Sequence, residues 1–444
     1  NIGIGFNSPG SVIVSGTGSV SLTGTGGSVG TGSAGVSNAV VTTAGGAINI
    51  TGSASSTGTS AEDITVSGGL NSSGGAITLT ANSYAGSGTE TINAGAGTVT
   101  IRNRTAGTLI DVGASSADVR SGSITLGVSS AELARINAAT TVIGRSDGVG
   151  ANSGNVSVFA TNLGALANTG GNLTVLSGNN IAVKGAITKS TGTDATLTLT
   201  AVNGIDVTDA AASVGGTVAG AGKLNVAMTA NGNAATVANS SGLVLTKVIN
   251  ANGGTVTLSG TNKQNTGGSA NNSGVRFTGA SIYAGSLTVT GNQTGANTIS
   301  DTNGIHFSGT NILQTTSGTS TLTGNSNAIG NFGAGIFFAD SSSTTLDSGT
   351  GSIDFSGRNS NTGYRGIRIG GSSGAAINAK GNISFEDTGF QVMLRGQLTQ
   401  QTNTTVTFKG KAVSMYAGTT VVKATGASGT ALNLEAQTVV VGDA

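Results

Sequence analysis

Several residue types are nearly missing from this sequence. It contains no cysteine and no tryptophan, one proline and one histidine, and only 8% of its 444 residues are charged. A chain without cysteine forms no disulfide, and a single histidine leaves too few ligands for a transition-metal site. We therefore expect no bound metal and no cofactor. The missing cysteine also fits an exported bacterial protein that crosses a membrane pore unfolded.

Charge and hydropathy exclude further classes. The formal net charge is +1 and the basic residues are dispersed, so no basic surface of the kind that binds nucleic acid is present. No apolar stretch reaches the length that a bilayer-spanning helix needs, and we expect no membrane insertion. The chain does not begin with methionine, and we expect it to be part of a longer precursor.

Glycine, in contrast, is abundant, with 77 residues. Collagen would place glycine at every third position beside much proline, and this sequence has neither feature. Hydrophobic residues make up 36% of the chain and recur at two-residue spacing. That spacing is typical of short β-strands with one buried face.

A repeat is clearest over residues 254–408, where Phe277, Phe307, Phe338 and Ile369 are separated by 30, 31 and 31 residues. Three short apolar strands recur in each step. The first strands lie at residues 256–258, 287–289, 321–322, 353–355 and 383–385. The second strands lie at residues 275–277, 305–307, 336–338, 367–369 and 392–394. The third strands lie around Ile282, Ile312, Leu346, Ile377 and Leu398.

Three strands per step predict an all-β fold, a right-handed parallel β-helix or β-solenoid, in which each coil stacks on the one before. We expect roughly 15 to 20 coils at about 4.8 Å each, which gives a rod on the order of 70–100 Å. The longest inserts between strands, residues 259–273, 324–334 and 357–365, are candidates for receptor specificity.

The sequence predicts two textures along this solenoid. Residues 1–250 form shorter, irregular coils, and residues 251–444 form regular coils of about 31 residues. A small helical insert is predicted near residues 129–136, because Ser129 and Glu132 have the spacing of a capping box.

Four runs around this insert carry a further pattern: residues 107–113, 123–127, 131–136 and 141–144. They resemble the repeats of filamentous haemagglutinin-like large exoproteins, the adhesins of bacterial two-partner secretion. Those repeats carry a leucine-glycine-leucine-x-x-alanine-glutamate-leucine-x-x-isoleucine phrase, which residues 126–136 approximate. The resemblance implies a right-handed β-helix, export through an outer-membrane transporter, and adhesion.

A possible contact ridge is predicted on the outer surface of the later coils, from these residues: Arg276, His306, Tyr364, Arg365 and Arg368. Stacking aligns Arg276, His306 and Arg368, with Phe337 interrupting the row. We expect His306 to be exposed to solvent, because it lies between two apolar residues of a strand. Two interpretations stay open: the ridge contacts an acidic glycan or a neighbouring protein, or it serves solubility alone.

Two apolar strands lie near the ends of the chain and are candidates for end-to-end docking: Val12, Ile13 and Val14, and Val439, Val440 and Val441. A solenoid ends in edges that must be capped or must pair with another chain. These strands are therefore consistent with a filament that grows by stacking of copies.

An enzyme is disfavoured. Glycoside hydrolysis needs two carboxylates across a cleft, whereas the adjacent Glu386 and Asp387 would point to opposite faces of a strand. The sequence therefore favours a non-enzymatic adhesin or stalk, secreted to the bacterial cell surface, which binds a host or bacterial surface protein or glycan. The alternative is a self-assembling extracellular filament protein built by end-to-end stacking.

Overall fold

The computed structural model describes residues 2–6, 11–27, 33–54, 62–113, 125–146, 152–165, 171–216, 222–232, 241–263, 272–295, 302–327, 333–361, 364–424, 426 and 428–442. Some predictions fall in the gaps. Residues 123–124 of the family-like runs lie outside the described residues, and so do the central parts of the three predicted specificity inserts, 264–271, 328–332 and 362–363.

The chain folds as an all-β parallel β-helix, with 61% strand and 2% helix. It divides into two compact units. The first unit contains Asn1–Ala201 and Asp209–Lys223, and the second contains Val202–Thr208 and Leu224–Ala444. The division of the sequence into residues 1–250 and 251–444 by texture stays a prediction.

The strands up to residue 215 are β1 (Ile2–Gly5), β2 (Val12–Val14), β3 (Val20–Thr25), β4 (Ala34–Thr43), β5 (Ile48–Ser53), β6 (Ile64–Asn71), β7 (Ile77–Thr80), β8 (Tyr84–Gly86), β9 (Ile92–Asn93), β10 (Thr98–Arg102), β11 (Leu109–Val112), β12 (Thr125–Val128), β13 (Ile136–Asn137), β14 (Thr140–Gly144), β15 (Val156–Val158), β16 (Thr161–Asn162), β17 (Leu173–Ser177), β18 (Ile181–Val183), β19 (Ala186–Thr188), β20 (Ala195–Ala201), β21 (Ile205–Val207) and β22 (Ser213–Gly215). The helical elements are α1 (Ser130–Leu133) and a short 3-10 turn (Leu163–Ala165).

The remaining strands are β23 (Leu224–Ala230), β24 (Leu243–Leu245), β25 (Val248–Asn250), β26 (Thr255–Asn262), β27 (Ser273–Thr278), β28 (Ser281–Ala284), β29 (Ser286–Gln293), β30 (Asn303–Ser308), β31 (Thr310–Thr315), β32 (Thr319–Ser326), β33 (Ile336–Phe338), β34 (Ser343–Asn359), β35 (Ile367–Ile369), β36 (Ala375–Asp387), β37 (Gln391–Leu394), β38 (Gly396–Gln400), β39 (Thr405–Met415), β40 (Thr420–Lys423) and β41 (Ala431–Val441).

In the second unit, three parallel series of strands run from coil to coil. The first is β23-β26-β29-β32-β34-β36-β39-β41, the second is β21-β24-β27-β30-β33-β35-β37-β39, and the third is β25-β28-β31-β34-β36-β38-β40. One coil thus contains three strands, as the repeat predicts. Inner strands pair with a strand of the coil before and a strand of the coil after, which is how strands this short become stable.

The first unit is also built from parallel series of strands, but the pairing of its strands varies more from coil to coil. One series is β3-β5-β7-β10-β14-β17-β20, and another is β1-β4-β6-β9-β13, with β2 on β4 and β8 on β6. Shorter series are β11-β15-β18, with β12 also on β11, and β16-β19-β22. Register keeps like residues together: Leu22 pairs with Ile50 and Ile50 with Leu79.

The core of the second unit contains two columns of stacked phenylalanine rings. In one column Phe307 stacks on Phe277 at 4.8 Å and on Phe338 at 4.6 Å between ring centroids. In the other column Phe385 lies 4.8 Å from Phe355 and 5.2 Å from Phe408. The two columns meet edge to face, for example Phe338 against Phe355 at 5.6 Å. Both arrangements are favourable for aromatic rings.

Glycine is required where the first strand of a coil crosses the second. A Cβ atom on Gly291 would collide with the carbonyl oxygen of Gly304, and one on Gly304 would collide with the backbone nitrogen of Asn325. The same crossing occurs in the first unit, where a Cβ on Gly24 would meet the carbonyl oxygen of Gly35. Only a residue without a side chain allows the two backbones to approach this closely.

Two local predictions are tested directly. The predicted helical turn is confirmed as α1, with Ser129 as its N-cap: the Ser129 hydroxyl accepts from the Glu132 amide at 3.2 Å, and the Glu132 carboxylate accepts from the Ser129 amide at 2.8 Å. The predicted third strand around Ile312 is also present as β31. Its inward residue, however, is Leu313, which pairs with Ile282, while Ile312 is only half-buried.

Candidate functional site

The middle strands of the second unit share one pattern, in which two apolar residues point inward and the residue between them points outward. In β27, β30, β33 and β35 the outward residues are Arg276, His306, Phe337 and Arg368. Arg276 pairs with His306, His306 with Phe337, and Phe337 with Arg368. We call these four residues the outward ladder. The predicted alignment of its basic members is confirmed.

The outward ladder is not an exposed ridge. The exposed fraction of the residue is 3% for His306, 5% for Arg368 and 7% for Phe337, and Arg276 is half-buried. The prediction that His306 is exposed is therefore wrong. Two features account for the difference: backbone of the crossing strands lies beside the ladder at Gly304, and flat side chains of successive coils stack face to face.

Phe337 is the centre of this stack, whereas the sequence predicted that it interrupts the row. The His306 and Phe337 rings lie 5.3 Å apart with an interplanar angle of 16°. From the other side, the Arg368 guanidinium lies 5.0 Å from the centroid of the Phe337 ring, which is a cation–π contact. The sequence contained a signal for this role, because Phe337 is an aromatic residue at the repeat position between His306 and Arg368.

The polar atoms of the outward ladder are unequally satisfied. Arg368 Nε donates to the carbonyl oxygen of Gly370 at 3.1 Å. By contrast, neither Nδ1 nor Nε2 of His306 has a hydrogen-bond partner among the residues that the structure describes, and Nε of Arg276 has none there either; all three atoms are buried. A buried polar group without a partner costs about 1–3 kcal/mol, so such groups are rare in folded proteins.

Electrostatics keep the imidazole neutral at physiological pH. Burial, together with the positive charge of Arg276, lowers the pKa of His306 to about 3. Burial also lowers the pKa of the Arg276 guanidinium. A neutral imidazole has one N–H donor and one acceptor nitrogen, and a guanidinium has donors only. Arg276 and His306 together therefore present hydrogen-bond donors and positive charge to whatever lies against them.

Asp340 organises the turn next to Arg368. Its carboxylate accepts hydrogen bonds from the amides of Gly371 and Ser372 and from Gly374, the last at 3.1 Å. Burial raises the pKa of Asp340, but hydrogen bonds from the amides of Gly371, Ser372 and Ser373 and from the Ser372 hydroxyl outweigh it, and the pKa lies below its usual value. A Cβ on Gly371 would touch both this carboxylate and the Arg368 guanidinium, so the turn packs against both groups.

Asp387 has a similar structural role one coil later. It accepts from the amides of Gly366 and Gln391, both at 2.6 Å, and from Phe390 at 2.9 Å. Burial raises the pKa of Asp387 despite these hydrogen bonds. The carboxylate thus ties two coils together at the position where earlier coils have the crossing glycine, since Asp387 pairs with Gly357.

Tyr364 and Arg365 do not belong to the outward ladder. They lie in the segment before β35, four and three residues ahead of Arg368, and both are half-buried. The Tyr364 amide donates to the carbonyl oxygen of Asn361 at 3.3 Å. Their predicted role as surface contacts stays a prediction.

The predicted docking strands occupy β2 and the end of β41. Strand β2 pairs with β4, and Ile13 is 72% exposed. Residues Val439 and Val441 continue the inward positions of β39, pairing with Val413 and Met415, yet Val441 is 75% exposed. Val440, between them, is also exposed. Docking through these strands stays a prediction.

Within the described ranges, no group of three or more histidine, cysteine, aspartate or glutamate residues is arranged to hold a metal ion. The same part of the chain has no helix of sufficient length and apolarity to cross a membrane. Comparison of the chain with protein-family models, with curated proteins and with solved structures found no match.

Proposed function

We propose that this chain is a secreted, non-enzymatic adhesin or stalk of the bacterial cell surface, which binds a surface protein or glycan. The observation that carries the proposal is the continuous parallel pairing of successive coils around a core of stacked side chains. Hydrogen bonds between coils run along the solenoid axis, so each coil stiffens its neighbours. Such a body is suited to presenting loops away from a cell.

Carboxylates of the second unit support the non-enzymatic part of the proposal. Asp340 and Asp387 are both engaged by backbone amides of the turns they organise. Asp354 accepts from the hydroxyls of Ser352 and Ser384, and Asp347 forms an ion pair with Lys380. Groups bound in this way maintain the fold, whereas an acid catalyst needs a carboxyl group directed at substrate.

The family resemblance supports export and adhesion. Helix α1 forms where residues 131–133 match the alanine-glutamate-leucine part of the family phrase. Glu132 also accepts a hydrogen bond from the Gly86 amide at 3.1 Å, which fastens the insert to the coils beside it. Export through an outer-membrane transporter is part of this proposal.

The second candidate is a filament that grows by end-to-end stacking. It is favoured by one observation: β2 and β41 each have a single partner among the described strands, and both expose apolar side chains. Unpaired strand edges of this kind pair readily with another chain.

Negative-stain electron microscopy of the purified chain over a range of concentrations separates the two candidates. Single rods of the predicted length, with saturable binding to cells, support the adhesin. Unbranched fibres that lengthen with concentration would overturn it in favour of the filament. The variant Val441→Lys puts a charge on the exposed inward position of β41 and should abolish fibres, while Lys423→Gln on the exposed strand β40 serves as its control.

A further inference from the structure

The outward ladder has an unmet requirement for hydrogen bonds. His306 is 3% exposed, and neither of its ring nitrogens has a hydrogen-bond partner in the described part of the chain. Nε of the neighbouring Arg276 shares this condition. Because the two residues pair directly across β27 and β30, their unsatisfied groups belong to one place in the fold.

The described neighbours do not meet this requirement. Phe337, which covers one face of the imidazole, has no hydrogen-bonding group. Ser308, two residues along β30, shares a hydrogen bond of 3.0 Å with Thr278. Gly304, two residues before His306, has no side chain at all. The positive charge of Arg276 lowers the pKa of His306, and burial lowers the pKa of Arg276 itself.

We propose that Arg276 and His306 form a binding site for a small oxyanion, a carboxylate or a sulfate group. Such a group has several acceptor oxygens and can receive N–H bonds from the Arg276 guanidinium and the His306 imidazole at once. Its negative charge compensates the half-buried guanidinium. Phe337 supplies the flat wall that orients the imidazole, and Arg368 supplies a second positive charge on the far side of that ring.

The source of the oxyanion is either a free inorganic ion or the acidic unit of a glycan. The glycan source rests on the proposed adhesin function, whereas the anion site itself does not. Acidic glycans have carboxylate or sulfate groups as substituents of their sugar rings. One such group, rather than a whole sugar ring, matches a site formed by two donor side chains.

His306 provides its own probe, because it is the only histidine of the chain. The protein labelled with ¹³C-histidine is titrated with sodium sulfate and with sodium acetate at ionic strength held constant with sodium chloride. We expect a saturable shift of the His306 ring signals. We also expect the pKa of His306 to rise by about one unit or more in saturating anion, because a bound negative charge favours the imidazolium.

Variants separate this site from a nonspecific salt effect. Arg276→Gln should weaken anion binding about tenfold or more, Arg276→Lys should retain part of it, and Lys423→Gln should leave it unchanged. His306→Phe keeps a flat ring against Phe337 and reports on folding, and sulfate should stabilise it less than the parent protein. A His306 signal that does not move with either anion, or that moves equally in Arg276→Gln, would overturn the proposal.

A second titration, with polygalacturonate and with a sulfated polysaccharide, tests the source. Shifts of the His306 signals that Arg276→Gln abolishes would identify a glycan ligand. Shifts with inorganic sulfate or acetate alone would keep the anion site and overturn the glycan source. Cell binding that Arg276→Gln leaves intact would locate adhesion elsewhere, so the adhesin proposal can stand while this inference fails.

Discussion

The middle strands of the two units have one backbone pattern and different side chains. In β11, β15 and β18 of the first unit, the inward residues are valine and isoleucine, such as Val158. In β27, β30 and β33 of the second unit, each strand ends its inward pair with a phenylalanine, such as Phe307. Alternation places both kinds of residue in the core, but each phenylalanine fills a larger volume there than valine or isoleucine does.

The outward position of the same strands differs even more. The first unit has Asp111 and Ser157 there, paired with each other, and burial raises the pKa of Asp111 although Ser157 and Lys184 lower it. The second unit has Arg276 and His306. The repeat pattern thus determines where a side chain points, while the neighbouring coils determine its charge state and its access to water.

The largest expected effect tests how much the aromatic columns contribute to the core of the second unit. Phe307→Ala removes a ring that contacts Phe277, Phe338 and Phe355, and we expect a loss of about 4 kcal/mol in the free energy of unfolding. Val158→Ala in the first unit should cost about 2 kcal/mol. Urea denaturation with hydrogen exchange measures each loss and locates it. Equal losses would contradict the argument that the aromatic columns dominate the second core.

A second comparison concerns ion pairs. In the first unit Glu90 is 1% exposed and its Oε1 lies 2.8 Å from both Nε and Nη2 of Arg135. Arg135→Gln leaves this carboxylate buried without its cation and should cost about 3 kcal/mol. In the second unit the Lys409–Glu386 pair is exposed, and Lys409→Gln should leave the denaturation midpoint unchanged. A similar shift for both variants would refute the distinction.

The strand crossing is predicted to be common to both units. Gly291→Ala and Gly24→Ala both direct a Cβ into a backbone carbonyl oxygen, and each should cost about 2.5 kcal/mol through overpacking. Gly16→Ala is the control, because a Cβ at that position has open space and the backbone is not left-handed. Thermal unfolding measures the three variants. Tolerance of alanine at Gly291 would mean that the crossing strands can separate without loss.

The smallest effect tests the chemistry of the outward ladder. The folded protein keeps His306 neutral down to a pKa of about 3, whereas an unfolded chain takes up this proton near pH 6.5. The contribution of neutral His306 to the free energy of unfolding is therefore fully present above pH 6.5. It is lost as the pH falls from 6.5 towards 3, by about 2 kcal/mol at pH 5. His306→Phe should lack this part of the pH dependence, measured by urea denaturation in low-anion buffer. Parallel pH profiles for variant and parent would contradict the assignment.

Much of the fold follows from the sequence, because strand alternation and coil length are local properties. The strands that contain Val256, Val275 and Ile282 all lie where the repeat predicts. Local rules fail where a turn changes the count by one residue, as at Ile312, whose neighbour Leu313 points inward instead. A shift of one residue in the turn reverses the faces of a whole strand.

Less of the candidate site could be predicted. The equivalent repeat positions align Arg276, His306 and Arg368, as expected, because parallel stacking keeps register. Burial of His306 could not be read from alternation, which distinguishes the two faces of a strand and not what covers them. Alternation also does not show that Phe337 stacks between His306 and Arg368, so this role was not predicted.

The sequence by itself determined the all-β solenoid, its three strands per coil, the inward columns and the capped turn α1, since each depends on residues close together in the chain. Only the tertiary structure decided which groups lose their water and which atoms find partners. Asp340 reaches the turn at residues 371–374 and Asp387 reaches Gly366, through hydrogen bonds between coils. Such contacts join residues more than twenty positions apart, and their energies depend on burial, which exists only once the coils have stacked.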